Sequence, residues 1–198
     1  MQIDMTGIRA LIFDFDGTLA DTMPAHYASW QETLAPYGIP FPIGEFYALG
    51  GWPSWRIVKR LSERSGIAVD VREVSRRKNE HFLQCMHLVR PVEPVAAIAR
   101  AYAGKLPMAI ATGGVAWVTR PMLAQIGLAD LFPVVVTSED VERHKPDPDV
   151  FLLAASRLGV EPGACLVFED TDPGVEAARR AGMRFVDVRE IVGRPKGM

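Results

Sequence analysis

Leu11-Ile12-Phe13-Asp14-Phe15-Asp16-Gly17-Thr18-Leu19-Ala20-Asp21 joins a short apolar run to two carboxylates and a glycine. The run reads as a strand buried on both faces, and the glycine permits a sharp turn directly after it. Side chains alternate along an extended chain, so Asp14 and Asp16 point to the same side. Two carboxylates held close at the edge of an apolar core repel one another. They persist when a cation lies between them or when one keeps a proton, and both answers suit phosphoryl transfer. An isolated pair of this kind also serves as an Asx turn that caps loop amides, so its neighbours decide the reading.

Runs of the same character appear at Arg9–Phe13, Leu106–Ala111, Pro133–Val136, Ala164–Phe168 and Arg184–Val188, separated by helical patterns. Strands alternating with helices predict an α/β fold, a doubly wound parallel sheet with ligands at the strand C-termini. The interval after the first strand is too long for one crossover helix. Residues 23–90 are therefore expected to form an inserted α-helical cap, leaving 1–22 and 91–198 as the α/β core. Within the cap, Ala25–Leu34, Ser54–Ser65 and Val71–Leu88 show helical spacing, and Leu49-Gly50-Gly51-Trp52-Pro53 reads as a turn. The stretches Thr22–Pro24 and Arg90–Pro94 are the expected hinges, with cap closure excluding water from the site.

Composition narrows the function. With 198 residues, 48% of them hydrophobic, and a formal charge of −2, the chain suits a globular enzyme with a real core. The 22 Lys and Arg against 24 Asp and Glu give no basic excess for nucleic acid, and no run reaches the length of a membrane helix. The N-terminal residues lack a signal-peptide pattern, so a cytoplasmic address is expected, with a small molecule as partner and a monomer favoured. Cys85 and Cys165 read as buried, idle thiols.

Three further strand ends carry chemistry. Ala109-Ile110-Ala111-Thr112-Gly113-Gly114 offers a hydroxyl and uncluttered backbone N–H groups to an oxyanion, although Thr112 also suits a helix N-cap. His144-Lys145-Pro146-Asp147-Pro148-Asp149 places a cation where it can neutralise a phosphoryl oxygen, against the bland reading of a solvated surface charge. Phe168-Glu169-Asp170-Thr171-Asp172-Pro173-Gly174 supplies hard oxygen ligands for Mg²⁺, with Asp172 also readable as an N-cap.

Taken in order, these four segments resemble the haloacid dehalogenase superfamily. The K-P-x-P-D-x-F segment at Lys145–Phe151 and the helical insertion are similar to its β-phosphoglucomutase-like branch, and the cap stretch Leu49–Ile57 to the bacterial fructose-1-phosphate phosphatases within it. The resemblance implies Asp14 as nucleophile and Asp16 as general acid/base. It also implies Thr112, Gly113 and Lys145 around the phosphoryl group, and Asp14, Asp16, Glu169 and Asp170 around Mg²⁺. His26, Trp52, Arg56 and Lys78 are the cap residues expected to face a small sugar phosphate, while His81 and His87 are expected on a solvated helix face. True mutases of the branch share the His and Lys at positions 26 and 78. They carry Ser and Asn where Gly114 and Ala116 stand here, and their cap arginine falls nearer to Ser54 than to Arg56. Hydrolysis of a sugar phosphate is thus the expected activity. Sugar-phosphate isomerisation and a non-catalytic phosphometabolite-binding module are the alternatives.

Overall fold

The computed structural model describes residues 3–49 and 52–193. They divide into two compact units, one built from the described residues through Asp21 together with those from Arg90 onward, the other spanning Thr22–Val89. Along the chain, β1 (Ala10–Phe13) and β2 (Ala20–Asp21) precede the helices of the second unit: α1 (Met23–Leu34), α2 (Ile43–Ala48), α3 (Ser54–Ser65) and α4 (Val71–Gln84). The chain returns through β3 (Arg90–Pro91) and α5 (Glu93–Tyr102). It then alternates β4 (Met108–Ala111), α6 (Ala116–Gln125), β5 (Val134–Val136), α7 (Asp149–Leu158), β6 (Cys165–Glu169), α8 (Asp172–Arg180), β7 (Arg184–Asp187) and α9 (Val188–Val192).

The first unit is the expected doubly wound sheet. Its strands lie in the order β5-β4-β1-β6-β7, and every pairing is parallel. Ile12 sits opposite Ala109 on one side and Val167 on the other, so β1 is covered by neighbours along both edges. Helices cover its faces, which is why the run from Ala10 to Phe13 is apolar throughout and fully buried. Small residues allow close approach: Ala154 and Ala155 of α7 and Ala177 and Ala178 of α8 pack with Ile12, Ala109 and Val167 in one core. Phe13 and Phe168, register partners on β1 and β6, stack with centroids 4.6 Å apart. Because the chain winds from β1 to β4 and β5 on one side and then crosses to β6 and β7 on the other, the ends of β1, β4 and β6 meet at a topological switch point.

β2 and β3 form a short antiparallel ladder, Ala20 opposite Pro91 and Asp21 opposite Arg90, where the chain leaves the first unit and re-enters it. In the second unit Trp30, Leu34, Phe46, Leu61 and Val74 build a separate core. Several boundaries differ from the sequence reading for local reasons. α4 stops at Gln84, and Met86–Leu88 forms a separate 3₁₀ turn. Ala164 belongs to a 3₁₀ turn that precedes β6. α2 was not foreseen; it is six residues long and contains Gly44. His81 is not on a solvated face: its Nδ1 lies 2.9 Å from the hydroxyl of Thr33, tying α4 to α1. Gly50 and Gly51, read as part of a turn, lie outside the described residues. Both cysteines are free and buried, and burial pushes the Cys165 thiol up to about 11. No helix among the described residues is long and apolar enough to cross a membrane.

Truncating the stacked ring at the centre of the sheet tests this packing. Phe168→Ala is expected to cost about 3–5 kcal/mol in a urea titration; a loss below about 1 kcal/mol would contradict the packing described.

Candidate active site

Asp14 follows β1 directly, and its N–H continues the ladder by donating to the carbonyl of Phe168 at 2.9 Å. Its carboxylate is buried and meets a single ammonium. Nζ of Lys145 donates to Asp14 Oδ1 at 2.6 Å, to Glu169 Oε2 at 2.7 Å and to the Ala111 carbonyl at 3.1 Å. These acceptors come from the ends of β1, β4 and β6, so the lysine joins three strand ends at once. An ammonium carries three hydrogens, and all three are engaged. Lys145 is thus not the solvated charge that a loop lysine usually is. Burial works against its charge, yet the carboxylates of Asp14 and Glu169 outweigh it and hold the ammonium above its ordinary range.

Glu169 ends β6 with no exposed surface. Its Oε1 accepts from the N–H groups of Asp170 and Thr171, both at 2.9 Å, and from the Thr171 hydroxyl at 2.8 Å. Asp170 is held from the opposite side by the Thr18 hydroxyl, 2.7 Å from its Oδ1. Gly17 makes that approach possible: at φ +84° it turns the chain, and a Cβ there would fall 2.3 Å from Asp170 Oδ2. Asp14, Glu169 and Asp170 each bring a carboxylate oxygen within 4.8 Å of one another. Burial first, and then the neighbouring Glu169 charge, push the Asp14 carboxyl well above the usual carboxylate range despite Lys145. These three carboxylates, two of them bonded to the ammonium, form an all-oxygen donor set that fits a small, hard divalent cation.

Asp16 faces a different neighbourhood. The position a Cβ would take on Gly114 is 3.6 Å from Asp16 Oδ2, 3.3 Å from Thr112 Oγ1 and 3.0 Å from Thr119 Oγ1. The proposed acid/base therefore adjoins the loop after β4. In that loop the Gly114 N–H donates to Thr112 Oγ1 at 3.0 Å, leaving the hydroxyl hydrogen for another acceptor, while Gly113 is exposed. The N-cap position of α6 is Val115, not Thr112, and its side chain caps nothing. Glu139, from the loop after β5, takes the Ala116 N–H instead at 2.8 Å. Ser138 donates to the Gly114 carbonyl through both its N–H and its hydroxyl at 3.0 Å.

The second unit brings the four expected cap residues together as two pairs. Lys78, buried on α4, places Nζ 2.7 Å from Nδ1 of His26 on α1, and the His26 ring stacks on Phe82 with centroids 4.2 Å apart. With Lys78 as an ammonium, Nζ donates and Nδ1 accepts, which would leave the imidazole proton on Nε2. Arg56 is exposed and lays its guanidinium 3.9 Å over the ring of Trp52. Sequence reasoning missed Thr18, Thr171 and Glu139. The first two carry a weak signal, hydroxyls within two residues of a site carboxylate; Glu139 carries none, since its partner is 23 residues away. For Asp172 the N-cap reading fails: the hydroxyl of Thr171 caps α8, and Asp172 pairs with Arg189.

The sequence model of a family described as haloacid dehalogenase-like hydrolase matches residues 11–188. The chain is 42% identical over 180 residues to fructose-1-phosphate phosphatase YqaB of Escherichia coli (strain K12), a match covering 90% of this chain and 95% of that protein. It is 32% identical over 193 residues to the N-acetylmuramic acid 6-phosphate phosphatase of Pseudomonas aeruginosa, with 92% and 82% covered. Among solved structures, CbbY from Rhodobacter sphaeroides in complex with phosphate superposes with a TM-score of 0.75 at 25% identity, over 90% of this chain and 84% of that one.

Asp14 gives a stability test that needs no substrate. Its carboxyl is raised in the folded state, so its ionisation opposes folding, and that opposition is complete only above the folded-state pKa. In metal-free buffer at pH 7, Asp14→Asn is expected to melt above the parent protein. The gap should narrow as pH falls through the raised value and close below about 3, under the ordinary Asp value, where both states hold the proton. A variant that melts below the parent at pH 7 would show that Asp14 is stabilised as an anion.

Proposed function

The chain belongs to the haloacid dehalogenase-like hydrolases, and from that premise we propose that it hydrolyses the phosphate monoester of a small sugar, fructose 1-phosphate or a close relative. The observation that carries this reading is the shared ammonium of Lys145, which holds Asp14 beside Glu169 and Asp170 at the C-terminal edge of the sheet. The similarity to a fructose-1-phosphate phosphatase over nearly the whole chain supports the substrate class. The enzyme is proposed to act as a monomer in the cytoplasm.

In the proposed mechanism an Asp14 oxygen attacks phosphorus as the bond to the sugar oxygen breaks, and Asp16 gives its proton to that oxygen. Asp16, now a carboxylate, takes a proton from water. The water oxygen attacks phosphorus, inorganic phosphate leaves and Asp14 is regenerated. Thr112 donates its hydroxyl hydrogen, and the Gly113 N–H its own, to phosphoryl oxygens, while Lys145 supplies a fixed positive charge. Mg²⁺ is the proposed metal, held by Asp14 and Asp170 with Asp16 and Glu169 beside them; when bound it offsets the repulsion between carboxylate and phosphate. Lys78 and His26, with Trp52 and Arg56, are proposed to read the sugar.

Isomerisation remains the second reading, because a mutase uses the same nucleophile. It must hold two phosphates, however, and the loop after Thr112 is poor in donors for the second. Gly114 and Ala116 carry no polar side chain, and the Ala116 N–H is already taken by the Glu139 carboxylate, whose charge repels an anion. Water as acceptor is the better fit.

A panel of sugar phosphates, nucleotides and flavin mononucleotide assayed for released phosphate tests the proposal. Fructose 1-phosphate should rank among the best substrates, chelator should lower activity to below about 1%, and Mg²⁺ should restore it. Full activity in excess chelator, or product isomer forming faster than free phosphate, would replace this reading. Asp16→Asn is expected to slow sugar phosphates about 100-fold or more and aryl phosphates less than about 10-fold, because only the poor leaving group needs a proton. Equal losses would remove Asp16 from the acid role.

A further inference from the structure

Gly174 stands in the first turn of α8, against the side chain of Glu169. A Cβ placed on it would fall 1.9 Å from Glu169 Oε2 and 2.0 Å from its Cδ, distances that no real side chain tolerates. The backbone does not demand glycine here, since Gly174 lies outside the positive-φ region. Helix propensity also favours alanine over glycine within a helix. What the glycine supplies is space, and the group that uses the space cannot easily move. Glu169 Oε1 is fixed by two backbone N–H groups and the Thr171 hydroxyl, and Oε2 is fixed by Lys145. Thr171 is in turn held by the Gly174 N–H, which donates to its hydroxyl oxygen at 3.1 Å.

We infer that Gly174 is a positioning residue for the phosphoryl site: its missing side chain is the slot that seats the Glu169 carboxylate under the first turn of α8, where it holds Lys145 beside Asp14. The consequence for turnover rests on the hydrolase reading above; the structural part does not. Any Cβ at position 174 drives the carboxylate out of the slot. Oε1 then leaves its three donors, and Lys145 loses one of the two anions that fix its place. Lys145 is misplaced although residue 174 never touches it, and small errors in position cost rate steeply.

The test compares Gly174→Ala, Glu169→Asp and the double variant. Three readouts are used: hydrolysis of an aryl phosphate with Mg²⁺, amide hydrogen exchange at Asp170 and Thr171 by NMR, and thermal melting. For Gly174→Ala, kcat is expected to fall about 100-fold with little change in KM, and both amides should exchange faster. Adding Glu169→Asp draws the carboxylate back by one methylene. The double variant should therefore be about tenfold more active than Gly174→Ala, and the two amides should regain protection. A purely structural role for Gly174 would not produce rescue by a shortened partner. Parent-like kcat and exchange in Gly174→Ala, or a double variant no better than the single one, overturns the inference. If Gly174→Ala does not fold, recovery of folding in the double variant supports the slot and its absence refutes it. If the parent hydrolyses no phosphate at all, the functional reading fails, and amide exchange still decides whether the slot exists.

Discussion

Three carboxylates converge where β1 and β6 end, and the ammonium of Lys145, hydrogen-bonded to both Asp14 and Glu169, is the charge that lets those two be buried together. An unpaired carboxylate at this depth would take up a proton or push the site open. Paired, it stays in place, although Asp14 still gains protons far more readily than in water. The parallel sheet makes the pairing possible, because it ends β1, β4 and β6 at one edge and sends the loop after β5 back toward them. Lys145 spends its hydrogens on acceptors from those three strands, so the geometry of the charge cluster and that of the sheet edge are one constraint.

The acidic pair at the end of β6 shows how small residues complete that constraint. Asp170 approaches the backbone at Gly17 and is bonded by Thr18, a contact between residues 152 positions apart. Its neighbour turns the other way and lies among the first N–H groups of the chain leading into α8, where a helix start favours negative charge. One carboxylate thus faces the turn after β1 and the other faces the turn after β6. The two can be adjacent in sequence, Glu169 fully buried and Asp170 partly so, because each has its own set of donors.

Much of this was legible in the sequence, and the part that was not has identifiable causes. Runs such as Leu11–Phe13 and Leu166–Phe168 announced buried parallel strands because no polar residue interrupts them, and a carboxylate or lysine just beyond such a run lands at the sheet's C-terminal edge. Boundaries were less legible: Ala164 is apolar yet sits in a turn, and six-residue α2 is too short for a period to show. Arg76, Arg77 and Lys78 are three adjacent cations in the sequence, but the fold separates them. Arg76 pairs with Glu73 and Glu80 on the surface, whereas Lys78, two residues on, is buried beside His26. Local pattern cannot anticipate that, since it depends on which face of α4 meets α1. Long-range partners such as Thr18 with Asp170, or Glu139 with Ala116, are written only in the packed chain.

Asp14 and Asp16 are separated by one residue, have the same chemistry and begin on the same side of the chain, yet the proposed mechanism gives them opposite roles. Environment supplies the difference. Asp14 continues the β1 ladder, is fixed by Lys145 and sees Glu169, so its position is set while its charge remains crowded. A nucleophile needs that fixed position, and the added cation of the proposed mechanism would relieve the crowding. Asp16 lies beyond the strand, where the chain bends back on itself: the Gly17 N–H bonds to the Ala20 carbonyl, and those of Leu19 and Ala20 to the Phe15 carbonyl. That bend brings its carboxylate to the loop that carries Thr112 and Gly114, near Thr119. A group that must exchange a proton with a leaving oxygen and then with water is better placed among hydroxyls than among anions, because a surrounding of like charge would hold the proton in place. The glycine after Asp16 therefore does two things with one turn: it makes room for Asp170, and it gives the two aspartates different neighbours.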